Sequence, residues 1–222
     1  SSTARAWAAR RQPRGAIVID LRCFTYIDVL QPAFTSFVQT VAPGFLPLQG
    51  MASLIVEVAP GMSINRVTDL ALKATSVTVG MQVVERQFGM LEVHSFDQGQ
   101  VRAAGDAILD FFSLKEEDRL TPRILTEQTI TGIDGHQAML INKMRHGNFL
   151  LQGQTLYVLE CHPAGYAAIA ANEAEKAGDV ELLEVMFFGA FGRLYLGGSE
   201  EQINQAARGI REALGAIHGR PN

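Results

Sequence analysis

The sequence predicts an α+β fold made of two copies of one small domain in tandem. When the sequence is shifted by 103 residues, sixteen identical pairs align without a gap between Ile27 and Ala104, where composition alone would give about five. The predicted strands and helices follow one another without strict βαβ alternation, which favours antiparallel sheets with helices on one face. A length of 222 residues suits two domains of about 100 residues each.

The first copy begins with a strand predicted from Cys23 to Leu30, where apolar and polar residues alternate. Pro32 suits the first turn of the next helix, which we expect to end near Val41. The rest of this copy is predicted as strands at Leu54–Val58, Val77–Val84 and Met90–His94 and as helices at Met62–Thr75 and Gln98–Phe112.

The second copy repeats this order one repeat length later. Its strands are predicted at Arg123–Ile133, Thr155–Cys161, Val180–Phe187 and Arg193–Leu196, and its helices at His136–Arg145, Ala164–Ala177 and Glu200–Ile217. We expect the first domain at 21–119 and the second at 120–222, after a basic extension at 1–20. The charged segment from Leu114 to Leu120 is predicted to be a solvated linker between the copies.

Composition and charge argue against several classes of protein. A net charge of −4 gives no overall basic surface for a nucleic acid, and no apolar run approaches the roughly 18 residues of a membrane-spanning helix. Two cysteines, Cys23 and Cys161, make no disulfide framework, so we expect a cytoplasmic protein. The extension carries four arginines that fit a flexible tail, a basic arm or a docking helix: Arg5, Arg10, Arg11 and Arg14.

The sequence lacks the residue patterns of an enzyme. Its five histidines are scattered, and Cys161 and His162 are neighbours on a predicted strand, so their side chains would point to opposite faces. Neither GxGxxG nor GxxxxGK[ST] occurs among the glycines. We therefore expect no catalytic residues, no metal site and no cofactor.

Two segments resemble the strand and first helix of the bacterial microcompartment (BMC) domain: SLIVEVAPGMSINRVTDLALKATSVTV at Ser53–Val79 and TLYVLECHPAGYAAIAANEAEKAGDVEL at Thr155–Leu182. The matching positions are Glu57, Asp69, Lys73 and Val77, and one repeat later Glu160, Asn172, Lys176 and Val180. The extra strand and helix before each segment, with QVVERQFGMLEVHS, MLINKMRHG and FGRLYLGG, resemble the circularly permuted trimeric class found in carboxysomes and related shells.

This resemblance implies ferredoxin-like antiparallel sheets with helices, assembled as a homotrimeric, pseudohexameric shell tile. It further implies a gated central pore for metabolites, contacts with other BMC shell proteins, location in a microcompartment shell and, in some members, a dimer of trimers. The tile-edge lysines of the family map to Lys73 and Lys176, with Asp69 and Asn172 beside them. A lysine stem can cover apolar surface while its ammonium reaches carbonyls across a contact, although a solvated helix lysine is the simpler alternative.

The pore gate implied by the resemblance is Glu85-Arg86, whose repeat partners are Phe188 and Gly189. In a trimer, three Glu85 and three Arg86 side chains would form a hydrogen-bonded plug around the axis. Consecutive strand residues face opposite ways, so both side chains reach the axis only if the backbone leaves the strand there. We therefore expect a loop that can rotate, and the alternative is an ordinary surface ion pair on a hairpin.

A second functional hypothesis is a cytosolic oligomeric sensor that binds a small molecule in a cleft between subunits. Extended sheets of protein would favour the shell tile, whereas a discrete oligomer with a tightly bound ligand would favour the sensor. An enzyme is the third hypothesis, and it requires a cleft with convergent titratable groups that this sequence does not display.

Overall fold

The computed structural model describes residues 18–144 and 146–222. The first half of the chain contains four strands and three α-helices in the order β1, α1, β2, α2, β3, β4, α3. Their bounds are Asp20–Ile27 (β1), Pro32–Val41 (α1), Ala52–Ala59 (β2), Ile64–Ala74 (α2), Thr78–Glu85 (β3), Phe88–Ser95 (β4) and Gln98–Phe112 (α3). A short 3₁₀ turn at Gly61–Ser63 leads into α2.

The second half repeats the same seven elements. Their bounds are Arg123–Ile130 (β5), Gly135–Met144 (α4), Thr155–His162 (β6), Tyr166–Ala177 (α5), Glu181–Met186 (β7), Gly192–Gly198 (β8) and Glu200–Gly215 (α6). The first strands of the two halves start 103 residues apart, as do β2 and β6, which is the spacing of the sequence repeat.

Each half forms one antiparallel four-stranded sheet, with strand order β1-β2-β4-β3 in the first and β5-β6-β8-β7 in the second. A register shift between Leu21 and Cys23 leaves Arg22 as the extra residue of a β-bulge, and an equivalent shift surrounds Leu125 in β5. A bulge re-aims the side chain at the irregular position. The two halves therefore project different residues, arginine and leucine, from the same bulge.

The first sheet is covered on both faces. Helices α2 and α3 bury one face in a core that includes Phe24, Leu54 and Val56. The opposite face contributes Ile55 and Met90 to a second core that also contains α1 and residues from α5, α6 and the second sheet. The second half of the chain therefore packs its helix layer onto the first half's sheet.

The segment predicted to be a solvated linker is instead packed into the molecule, so that prediction was wrong. Residues Glu116–Asp118 form a 3₁₀ turn, and Asp118, Arg119 and Leu120 are buried. Arg119 donates hydrogen bonds to the carbonyl oxygens of Phe24 (2.6 Å) and His218 (2.9 Å). Arg119 satisfies backbone carbonyls and Asp118 accepts from the Lys115 amide (2.9 Å), whereas Lys115 and Glu117 are exposed. A count of charged residues does not distinguish these two situations.

The structured region begins close to the predicted start of the first domain. Strand β1 begins at Asp20, and Ile19 is buried, so the structured region starts slightly before the expected boundary at residue 21. The four arginines of the extension lie outside the described residues. Over the described part of the chain, no helix is long and apolar enough to cross a membrane.

Candidate pore hairpins and domain seam

The β3–β4 hairpin places Glu85 and Arg86 at a tight two-residue turn. Glu85 ends β3, Arg86 and Gln87 form the turn, and Phe88 begins β4 opposite Glu85. Arg86 has φ +53°, so its backbone has left the strand as expected. Its guanidinium Nε lies 3.5 Å from the Glu85 carboxylate, and its side chain is 86% exposed. The pair is therefore held at a solvent-facing tip.

The equivalent hairpin of the second half is a longer loop between β7 and β8. It contains Phe188, which is half-buried, and Gly189, whose φ is +97°. A Cβ atom added at Gly189 would lie 3.3 Å from Cγ of Glu85, so the tips of the two hairpins meet within one chain. The structure thus brings all four predicted pore residues to one end of the molecule.

The four predicted tile-edge residues do not lie in one environment. Lys73 is 74% exposed and forms an ion pair with Asp69 at 2.7 Å, and hydrogen bonding from Lys73 lowers the pKa of Asp69. Lys176 is partly exposed and pairs with Glu173 at 2.6 Å. Asn172 is completely buried, so assigning it to an edge contact was wrong. Its amide is used inside the chain.

Asn172 belongs to the contact between the two halves, which we call the in-chain seam. Its side chain accepts a hydrogen bond from the Gln31 amide (2.9 Å) and donates one to the Val29 carbonyl (3.2 Å). Glu175, one turn later on α5, accepts from the amides of Ala33 (2.8 Å) and Phe34 (3.0 Å). A helix of the second half therefore caps the N-terminus of α1, whose own N-cap residue makes no side-chain cap.

A buried charged cluster occupies the same seam below the hairpins. Arg22 donates to the Glu57 carboxylate at 2.7 Å, and the other oxygen of Glu57 accepts from the Gly165 amide at 2.9 Å. Burial raises the pKa of Glu57, while Arg22 opposes that shift. The Arg22 guanidinium also lies 3.6 Å from the centre of the Phe88 ring and 2.8 Å from Nε2 of His162. This cluster joins both halves of the chain.

The described residues offer little reactive chemistry. Among them, no group of three or more His, Cys, Asp or Glu side chains is placed to hold a metal ion. Burial raises the pKa of Cys23 well above its usual range and that of Cys161 to about 12. Both thiols therefore remain protonated near neutral pH and are poor nucleophiles.

Comparison with known proteins identifies the family. A model of the CsoS1D N-terminal domain matches residues 21–118. The carboxysome shell protein CcmP of Synechococcus elongatus is 51% identical over 202 residues, which cover 91% of this chain and 95% of that protein. The carboxysome shell protein CsoS1D of Hydrogenovibrio crunogenus is 45% identical over 89% of this chain and 97% of its own length. The chain belongs to this family of shell proteins.

Solved structures agree with that assignment. The fused permuted hexameric shell protein MSM0275 of the RMM microcompartment superposes with a TM-score of 0.88 at 46% identity, covering 90% of this chain and 99% of that one. The double-ringed trimeric shell protein MSM0271 of the same microcompartment gives a TM-score of 0.88 at 41% identity, over 92% and 100% of the two chains. The predicted fold, two permuted BMC domains in tandem, is confirmed for this shell protein.

Sequence reasoning missed the Arg22 cluster of the shell protein. Arg22 and His162 are 140 positions apart, and only the packing of one half on the other brings them together. The available signal was a break in the repeat, because Leu125 occupies the position that corresponds to Arg22. An arginine in an apolar strand without a repeat counterpart indicates a contact made by one copy only.

Proposed function

We propose that this shell protein is a structural facet tile of a bacterial microcompartment, in which three chains close into a pseudohexameric ring around a central pore. One observation carries the proposal: surfaces that are buried at the in-chain seam are exposed at the equivalent positions of the other half. Each chain therefore presents both sides of a second, unfilled seam.

The helix side of that unfilled seam lies on the first half. In the in-chain seam, Gly165 and Phe187 of the second half are buried against the first sheet and α1. Their repeat counterparts, Met62 and Val84, are 70% and 40% exposed. Leu72, which corresponds to the capping residue Glu175, is 47% exposed.

The sheet side of the unfilled seam lies on the second half. Phe37 on α1 is 3% exposed, whereas its counterpart Leu140 on α4 is 48% exposed. Arg22 is 6% exposed, and its counterpart Leu125 is 38% exposed. Large apolar residues that are exposed in this half, at positions that are buried in the other half, mark a contact surface.

These two surfaces fit each other because the chain already contains the same fit internally. Docking the helix side of one chain on the sheet side of the next is a head-to-tail contact, and such contacts form a ring when the rotation closes. Six domains related in this way come from three chains. In the ring, the hairpins with Glu85, Arg86, Phe188 and Gly189 would surround the axis.

The assembly is tested by light scattering of the purified protein, with electron microscopy of the same sample. We expect the mass of a trimer or a dimer of trimers, together with extended sheets. Leu140→Asp should reduce the mass to that of a monomer, because a carboxylate would be buried in the seam. Phe96→Asp, a change at another exposed apolar residue outside the seam, should leave the mass unchanged. A wild-type monomer, or a Leu140→Asp trimer, would refute the ring.

The pore proposal places an ion-paired plug of Glu85 and Arg86 at the axis. Exposed ion pairs contribute roughly 0–1 kcal/mol each, so three pairs give a closed state that a bound metabolite can reverse. Glu85→Ala should open the axial pore in structures of the trimer, and Lys115→Ala, a change at an exposed charge away from the hairpins, should not. A pore that stays closed in every crystal form of Glu85→Ala would reject the plug.

The remaining parts of the proposal follow from the ring. We infer a role without catalysis, tile edges that use Lys73 and Lys176 to contact other BMC shell proteins, and stacking of two trimers by analogy with the double-ringed trimeric relative MSM0271. The double variant Lys73→Ala/Lys176→Ala should form no sheets visible by electron microscopy, while its mass should remain that of the trimer. Sheets that persist in the double variant would contradict the edge role.

A further inference from the structure

We propose that Arg22 is a positioning residue for the pore hairpins, and that its contact with neutral His162 makes the position of the β3–β4 hairpin depend on pH. The relevance of this inference to the pore rests on the proposed function. The contacts themselves lie within one chain.

Arg22 packs against the β3–β4 hairpin beside its turn. Its guanidinium stacks on the ring of Phe88 at 3.6 Å, and Phe88 is the cross-strand partner of Glu85. A cation over an aromatic face is attracted by the ring, more strongly where water is excluded. Only 6% of Arg22 is exposed. Fixing Phe88 therefore fixes the first residue after the Arg86-Gln87 turn.

His162 connects this contact to the second hairpin. Its ring lies 6.1 Å, centre to centre, from that of Phe191, which ends the β7–β8 loop. Phe191 is the repeat counterpart of Phe88. A continuous set of contacts therefore runs from Phe88 through Arg22 and His162 to Phe191, below tips that already meet at Glu85 and Gly189.

The hydrogen bonds around His162 fix its protonation state. Arginine carries donors only, so Nε2 of His162 must accept from Arg22 at 2.8 Å. Asn222 uses its amide nitrogen to donate to the carbonyl oxygens of Thr121 and His162. Its oxygen therefore accepts from Nδ1 of His162 at 2.7 Å. The imidazole is neutral, with its proton on Nδ1.

Protonation of His162 removes one of the two side-chain acceptors of Arg22 and leaves only Glu57. The charged groups that face the imidazole are Arg22 from β1, with Glu57 behind it, and Arg123, its cross-strand partner on β5. Burial, followed by Arg22 and then Arg123, lowers the pKa of His162, while its hydrogen bond to Asn222 raises it. At acid pH, two adjacent cations would repel, and the guanidinium would shift away from its place under Phe88.

The experiment is hydrogen exchange of the full-length protein at pH 7.5 and pH 5.0, corrected for intrinsic exchange rates, read at peptides covering 83–91. We expect protection of the β3–β4 hairpin in the wild type to fall about fivefold at pH 5.0, within the range of one cation–ring contact. His162→Gln keeps an acceptor but cannot titrate, and its protection should change less than twofold. His136→Gln, a change at an exposed histidine, should behave as the wild type.

A second variant tests Arg22 without leaving a lone buried charge. Arg22→Met/Glu57→Gln should lower hairpin protection at pH 7.5 to the wild-type value at pH 5.0 and remove most of its pH dependence. Unchanged protection in this variant, or a His162→Gln profile that matches the wild type, would overturn the inference. Because exchange is read within one chain, a failure to form rings would refute the proposed function and not this one.

Discussion

The two halves share a fold at every element, yet they bury different chemistry at equivalent seam positions. The in-chain seam uses polar groups: Arg22, Asn172 and Glu175 reach across it to imidazole, amide and carbonyl partners. The proposed second seam offers Leu125 and Leu72 in place of Arg22 and Glu175, and it keeps a polar residue, Asp69, in place of Asn172. A tethered contact can hold charges whose burial is costly, whereas a contact between separate chains depends on apolar area released from water. The duplicated sequence has thus diverged according to how each seam forms.

The largest expected difference between the halves is in the free energy of unfolding lost when the arginine partner of a glutamate is removed. Arg22→Met would leave Glu57 as an unpaired buried carboxylate and should reduce the free energy of unfolding by about 3–5 kcal/mol. Arg193→Met removes the partner of Glu160, the counterpart of Glu57, at a pair whose side chains are 49% and 30% exposed. That change should cost about 1 kcal/mol or less. Urea denaturation at one protein concentration measures both, and equal losses would contradict the comparison.

Helix capping provides a second difference. Glu175→Ala should destabilise the protein by about 1–2 kcal/mol and loosen α1, because this carboxylate from the other half is the side-chain acceptor for its first amides. Helix α4 instead uses Asp134, which accepts from the amides of His136 and Gln137. Asp134→Ala should lower the free energy of unfolding by about 1 kcal/mol and increase hydrogen exchange only in α4. Exchange that rises in α4 after Glu175→Ala would argue against the seam-specific cap.

The hairpin tips should respond to glycine in opposite directions. Gly189 has φ +97°, so Gly189→Ala should lower stability by about 1–2 kcal/mol. Arg86 adopts φ +53° without being glycine, and Arg86→Gly should leave stability unchanged or raise it by up to about 1 kcal/mol. Thermal unfolding of both variants measures these changes. A stabilising Gly189→Ala would show that the loop relaxes to another conformation.

The smallest expected effect is on the pH dependence of stability. Because the pKa of His162 is lowered in the folded state, its contribution is present above about pH 6.5 and is lost as the pH falls through the folded pKa. The pKa of Glu57 is raised, so its contribution has the opposite sign. The difference between wild type and His162→Gln isolates the histidine: relative to the variant, wild type should lose up to about 1 kcal/mol of stability between pH 7 and pH 5. A constant difference would show that His162 does not titrate there.

Local signals in the sequence predicted most of the fold. Pro32 marked the start of α1, and the apolar spacing from Gln98 to Phe112 gave both ends of α3 as observed. Contacts between the halves are harder to predict, because no local sequence pattern shows that Asn172 faces Gln31 or that Arg119 reaches Phe24. Residues that the repeat aligns do not share an environment. The in-chain seam buries one member of a pair such as Phe37 and Leu140 and leaves the other exposed in the chain.

The packed connection between the halves affects how the chain can be divided. Arg119 lies between Phe24 and the C-terminal segment, and Arg220 donates to the Asp118 carbonyl at 2.6 Å. A protease would find little extended backbone to cut between residues 116 and 120. Genes for the two halves, expressed separately, would each yield a fragment with an uncovered apolar face. We therefore expect the two halves to fold as a single unit.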